Sequence, residues 1–164
     1  MKNIQCPNCG ADAEVERRNW PLDDWGVKGA VLMGTEIIKC GHCGEMPVIK
    51  GANRIMRTLA EAVVRKPYRL AGDEVRFLRK YMGITQDHFA RLLHVDKTTV
   101  SKWETGDDPV GIHSDLLIRL LAIVRYHDLM LAPEETAQFL QSIHDVKKRV
   151  QVRIDPEKFS YVYA

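Results

Sequence analysis

The sequence predicts a mainly α-helical chain with a small, metal-held β module at its N-terminus, and three observations predict it. All four cysteines fall in residues 1–53, as two Cys-x-x-Cys pairs. Residues 72–106 carry three short helical patterns, broken at Gly83 and at His94-Val95, with helix-turn-helix spacing. Beyond them the helical periodicity continues through Ser114–Tyr126 and Pro133–Val150, ahead of a short tail of β character.

The cysteines come first in the chain. They read Cys6-Pro7-Asn8-Cys9 and Cys40-Gly41-His42-Cys43, and Gly10 and Gly44 follow the two pairs. A Cys-x-x-Cys turn lets two thiolates converge on one ion. A glycine after it permits the positive φ that turns backbone N–H groups toward the sulfurs. Two such turns complete a tetrahedral four-thiolate site, which suits Zn2+ because its filled d shell imposes no geometry. Iron is the alternative ion. Disulfides are the competing use of four cysteines, but short paired spacings favour metal. His42 lies inside the second turn, and with four thiolates present it reads as a surface residue. One closed site of Cys6, Cys9, Cys40 and Cys43 has no open position for water, so it is structural and not catalytic. Between the pairs, Glu14–Arg18 and Val27–Lys39 read as short strands and Trp20–Gly26 as a loop. Trp20 and Trp25 read as core plugs, with anchoring of a protein partner as the other use. A module of about 50 residues has too little core to stand alone, so metal would supply much of its folding energy.

Composition restricts the remaining possibilities. Of 164 residues, 45% are apolar and 28% charged, the balance of an ordinary globular chain. No apolar run approaches the ~18 residues that cross a bilayer. Met1–Gln5 reaches a cysteine with no apolar signal core, so a cytoplasmic protein without a membrane partner is expected. The net charge of +2 says little, but its distribution says more. Residues 54–81 carry eight Lys/Arg against three Asp/Glu, and residues 147–164 carry five against two. Basic charge beside a recognition element concentrates a phosphate polyanion; a solvated face is the plainer reading. No nucleophile elbow, phosphate-cradling glycine loop or open metal site is present, and His88, His94, His113, His127 and His144 are scattered, so no enzyme is expected.

From Asn53 the texture changes. Ile55, Met56, Leu59, Ala62 and Val63 follow a helical spacing through Arg54–Lys66, and Pro67 stops it, which reads as a helical linker. Next, Gly72-Asp73-Glu74 opens a helix with Asp73 as its cap, carrying Val75, Leu78 and Tyr81 or Met82 on one face and ending at Gly83. Thr85 caps a second helix, Gln86–Leu93, with apolar Phe89, Ala90, Leu92 and Leu93. Asp96 caps a third, which runs to about Glu104 and stops at Gly106. Ala90 is small where the second and third helices approach, and Val100 and Trp103 form the inner face of the third. That leaves Lys97, Thr98, Ser101 and Lys102 pointing outward at the end that enters a major groove.

This stretch resembles the Xre-type repressor family. The matching residues are Ile84-Thr85-Gln86, Phe89-Ala90, Val95 and Thr99-Val100-Ser101-Lys102-Trp103-Glu104-Thr105-Gly106. His94 stands where that family commonly has a glycine at positive φ, so strain is expected there. The resemblance implies that Gln86 bonds a backbone phosphate and that Lys97, Thr98 and Lys102 face base edges. Ser101 or Thr99 would lie nearer phosphate, and Glu104 would brace the fold. A four-cysteine module followed by such a domain is similar to the MqsA/YgiT family of antitoxins and zinc-finger regulators, over roughly residues 1–126. Thirty residues separate Cys9 from Cys40, like the spacing in that family. The segment from Glu74-Val75-Arg76-Phe77-Leu78-Arg79-Lys80 to Gly106 also looks like it. In MqsA the base-reading positions carry Asn and Arg, whereas this chain has Thr98 and Lys102, so a different operator is implied.

The expected architecture is therefore mainly α. It has a small N-terminal zinc-ribbon-like β module, a C-terminal five-helix Xre-type helix-turn-helix domain and a short C-terminal extension. The expected boundaries are 1–53 for the module, 54–68 for the linker, 69–130 for the DNA-binding domain and 131–164 for the extension. In Ser114–Tyr126, the residues Leu116, Leu117, Leu120, Leu121 and Val124 offer core packing or a two-fold homodimer contact. Gln151–Ile154 and Phe159–Tyr163 read as short strands with no family role. The expected function is a transcriptional repressor that binds a palindromic operator in double-stranded DNA. The resemblance implies an antitoxin whose zinc module grips a toxin. The alternative is a zinc-ribbon adaptor that contacts the transcription machinery without a toxin.

Overall fold

The computed structural model describes residues 2–126 and 132–164. The chain forms two compact units: Met1–Leu22, Gly29–Leu59 and Gln151–Ala164 make the first, Asp23–Lys28 and Ala60–Val150 the second. Both units are discontinuous in sequence, unlike the four consecutive segments expected. The expected boundary at 130/131 lies outside the described residues, as does His127.

The first unit is built on one sheet. Its strands are β1 (Lys2–Gln5), β2 (Asp12–Pro21), β3 (Ala30–Cys40), β4 (Gly44–Pro47), β5 (Val152–Asp155) and β6 (Ser160–Tyr163). The order is β1-β2-β3-β5-β6, with β4 also on β3. β3 is the axis because both its edges are used. β2 runs antiparallel along one edge, while β4 pairs with residues 37–40 and β5, in parallel, with residues 30–32 of the other. Leu32, Ile37 and Ile154 are fully buried, which fits a β-branched and leucine-rich central strand. β2 runs beyond the expected Glu14–Arg18 at both ends, whereas β3 starts later than expected, at Ala30 and not Val27. Trp20 lies in β2 opposite Leu32 and is not in a loop. The register shifts between Arg18 and Trp20, and the Asn19 side chain accepts the Gly34 N–H at 3.1 Å beside that bulge.

The tail expected as a separate extension is divided. Its two strands form where expected, but they complete the first unit's sheet. A parallel neighbour needs a long crossover. Here nearly the whole second unit lies between β3 and β5 in sequence, so no local pattern announces the pairing.

Six α-helices lie among the described residues: α1 (Ala52–Arg65), α2 (Gly72–Tyr81), α3 (Gln86–Leu92), α4 (Lys97–Thr105), α5 (Ile112–Arg125) and α6 (Pro133–Gln141). The segment read as a linker is a core helix. Ile55, Thr58, Leu59, Ala60, Ala62, Val63 and Val64 of α1 are all buried, and the division between units falls within it.

In the second unit, α2 is capped two residues before the expected Asp73. Ala71 is the cap residue, and Glu74, three residues on, accepts the Ala71 N–H at 2.6 Å. Asp73 binds Lys28 and Arg149 instead. Gly72 lets α2 pass close to α4: a Cβ there would lie 2.1 Å from the Trp103 carbonyl oxygen. Thr85 caps α3 by accepting the His88 N–H at 3.2 Å. His94 takes φ 51°, the left-handed conformation expected of it, and Gly106 ends α4 at φ 88°. Phe89, Ala90, Val100 and Trp103 are buried between these helices, whereas Leu92 is exposed.

α5 departs from its expected pattern. Ile118, Ala122 and Ile123 make its buried face, together with Asp115 and Arg119. Leu116, Leu120 and Leu121 are half-buried, and Leu117 and Val124 are exposed. α6 is shorter than the helix expected over 133–150: Ser142 caps it, and His144 then bridges Tyr68 and donates its N–H to the Pro67 carbonyl at 2.8 Å.

Candidate functional site

The four cysteines meet because the sheet brings two hairpin tips to one end. The first pair sits in the connection from β1 to β2, where the Cys6 N–H donates to Ala11 and the Gly10 N–H to Cys6. The second pair spans the turn from β3 to β4, where Cys40 stands opposite Gly44. Since β2 and β3 are antiparallel and Ala13 pairs with Cys40, the start of one strand lies beside the end of the other. Gly10 and Gly44 take φ 74° and 78°, the left-handed conformation each turn requires.

All four Sγ atoms lie within 4.8 Å of one another, and those of Cys9 and Cys40 are 3.5 Å apart. A tetrahedron with bonds of ~2.3 Å has edges of about 3.8 Å, so the donor set fits a single metal ion. Cys6 and Cys40 are buried, Cys43 is half-buried and Cys9 is exposed, so one side of the cluster is covered. Ala13 and Ile38 pack with Cys6 and Cys40 beneath it.

Backbone dipoles already favour negative charge there. The Cys43 and His42 N–H groups hold the Cys40 thiol down to about 6, with Cys9 and Cys6 assisting. At Cys9 the Ala11 N–H pulls the other way, but the Cys43 and Cys40 sulfurs, burial and Cys6 push its thiol up to about 12. Crowded thiols cannot all ionise without a cation among them. The Asn8 amide also donates to Cys43 Sγ at 3.3 Å. His42 is exposed, as the sequence suggested, and takes part only through its backbone N–H.

No family model, curated protein or solved structure matches the chain. Both candidate sites therefore stand on geometry and chemistry alone. Among the described residues, no helix is long and apolar enough to cross a membrane.

The second candidate surface is α4. Its inner face is fixed by Val100 and Trp103, and Lys97, Thr98 and Lys102 are exposed on the outer side. Thr99 and Ser101 are half-buried beside them. The spacing of 97 with 101, and of 98 with 102, places each pair one turn apart on the helix. Gln86 begins α3 half-buried, and its amide donates to Glu104 at 2.9 Å. Glu104 is itself buried and accepts two bonds from Arg79, at 2.5 and 3.0 Å. Burial pushes the Glu104 carboxyl up, but Arg79, Gln86 and Arg76 together hold it below its usual value. Glu104 therefore braces α2, α3 and α4, and fixes the side chain expected at phosphate.

The basic surplus of residues 54–81 is divided: Lys66 and Arg79 are buried, Arg65 and Arg69 half-buried, and Arg54, Arg57, Arg76 and Lys80 exposed. Lys66 is buried against Glu74, Arg79 against Glu104, and Arg69 and Arg76 pair with Asp145 and Glu104. The run is therefore not one solvated face, because part of it is paired inside the fold. Sequence reasoning missed Asp107 and Asp108, which follow α4 directly. The Thr105 hydroxyl donates to Asp107 at 2.6 Å, and Asp108 lies 3.5 Å from the Lys102 ammonium.

Proposed function

We propose that the chain is a sequence-specific DNA-binding transcriptional regulator whose α4 enters the major groove. The observation that supports this reading most directly is the outer face of α4. It carries Lys97, Thr98, Ser101 and Lys102 on a helix whose inner face is locked by Val100 and Trp103. Its approach to α3 turns on the left-handed His94. Lysine donates to guanine O6 or N7, and a threonine methyl packs on a thymine methyl. Thr99 and Ser101, at the margin of that face, would meet phosphate, as would the second amide hydrogen of Gln86.

The cysteine cluster would hold one Zn2+ through Cys6, Cys9, Cys40 and Cys43. A bound ion supplies a cross-link between two hairpin tips and no reaction chemistry. The apolar stripe Leu117, Leu120, Leu121 and Val124 on α5 suits a second copy of the chain. Val124→Lys should then turn a homodimer into a monomer in sedimentation, with thermal stability unchanged.

The decisive experiment measures binding to the DNA upstream of the chain's own coding sequence and to mixed-sequence duplex, over a range of salt. The reading requires a salt-sensitive preference for the first. Lys102→Ala should cost about 1–3 kcal/mol on the preferred site and relax its preference at one base pair. Uniform loss on every duplex would make Lys102 a phosphate contact.

A further inference from the structure

The loop after α4 folds back onto the helix it follows. Gly106 turns the chain in the left-handed conformation, and the Asp108 N–H then donates to the Lys102 carbonyl oxygen at 3.3 Å. This anchors the Asp108 backbone over the last turn of α4. Its carboxylate reaches the Lys102 ammonium at 3.5 Å, with the two side chains 54% and 60% exposed. Asp107 is held by Thr105 alongside. An exposed pair of this kind adds little to folding stability. It does change what Lys102 can do.

A lysine on a flexible stem meets phosphates on any duplex as readily as it meets a base edge. Phosphate contact adds affinity without sequence information. A carboxylate anchored beside the ammonium cancels much of that attraction and repels phosphate in its own right. A hydrogen bond from Lys102 to a base edge inside the groove is recovered only where the sequence supplies the acceptor. Specificity improved by weakening the wrong complex is a recognised device.

We propose that Asp108 is a specificity-determining residue that restrains Lys102 from phosphate and so suppresses binding to non-cognate DNA. This rests on the DNA-binding reading of α4 given above.

The test uses the full chain in four forms: unmodified, Asp108→Asn, Lys102→Ala and the double variant. Each is titrated with mixed-sequence duplex and with the upstream region over a range of salt. One released phosphate contact steepens the log–log salt slope by about 0.9, worth about eightfold in affinity near 0.1 M salt. Asp108→Asn should show that steepening and that gain on mixed-sequence duplex, with a smaller gain on the preferred site. The gain should vanish in the Lys102→Ala background. An unchanged slope, or the same gain without Lys102, overturns the proposal while leaving a regulator that binds its own site. If the natively folded chain binds neither duplex in a salt-dependent way, the DNA-binding reading falls, and this proposal falls with it.

Discussion

The Arg119 guanidinium and the Asp115 carboxylate, one turn apart in α5, pair at 2.6 Å with neither side chain exposed to solvent. Arg119 also donates to the carbonyl oxygens of Val64, Lys66 and Tyr68, at 2.6, 2.6 and 2.7 Å. Asp115 accepts the Leu70 N–H as well. The pair thus satisfies backbone groups where α1 ends and the chain turns toward α2. Arg119→Ala would leave a buried carboxylate, two buried carbonyls and one partly buried carbonyl short of donors. Removing one partner of a buried pair costs about 3–5 kcal/mol, and a urea titration should show that loss. Wild-type stability in the variant would mean the network is solvated.

Gly72→Ala should destabilise the second unit, although alanine is normally the better helix residue by about 1 kcal/mol. The added methyl would sit 2.1 Å from the Trp103 carbonyl oxygen, and backbone cannot rotate aside as a side chain does. Overpacking of this kind costs about 1–3 kcal/mol. A thermal melt checks it, and a raised midpoint would show that α2 and α4 separate freely.

Acid should loosen the grip of Arg149 on α2. The Arg149 guanidinium donates to both oxygens of Asp73, at 2.9 and 3.0 Å, and the Lys28 N–H adds a bond of 2.8 Å. Burial pushes the Asp73 carboxyl up, but Arg149 and the Lys28 N–H hold it below its usual value. A carboxyl depressed in the folded state stabilises at pH above its unfolded value of about 4 and stops doing so as pH falls through the folded value. Urea midpoints should therefore drop below about pH 4. Asp73→Asn should lower stability at neutral pH and flatten that dependence. An unchanged acid limb in the variant would place the effect elsewhere.

On the proposed zinc assignment, Cys40→Ser should abolish stoichiometric metal and unfold the sheet, with α2–α5 retaining helical circular dichroism. Zinc content by mass spectrometry of the native protein is the direct measure. One bound ion in the variant would remove Cys40 from the ligand set.

Legibility followed range. The Thr85 cap, the left-handed His94 and the glycines behind each cysteine pair depend on neighbours within a few residues, and the sequence displays them. At the start of α2 two acids compete for one cap, and Glu74, not Asp73, is the one that reaches back. On α5 the leucines are the residues offered for core packing, yet Asp115 and Arg119 are buried while Leu116, Leu120 and Leu121 are half-buried and Leu117 is exposed. The partners of Asp115 and Arg119, Val64 to Leu70, lie far away in sequence, where periodicity is silent. Asp108 is close to Lys102 in sequence, but it lies past the helix stop at Gly106, where periodicity no longer says what a side chain meets.

The parallel pairing of β5 with β3 sets an order of events during synthesis. Residues 30–32 leave the ribosome more than a hundred residues ahead of their partners at 152–154. Until those follow, an apolar stretch of β3 has an open edge, a known invitation to misassembly. The growing chain therefore has an interval in which its cysteine-bearing half cannot be finished, and shielding of that edge by a chaperone would be most needed then.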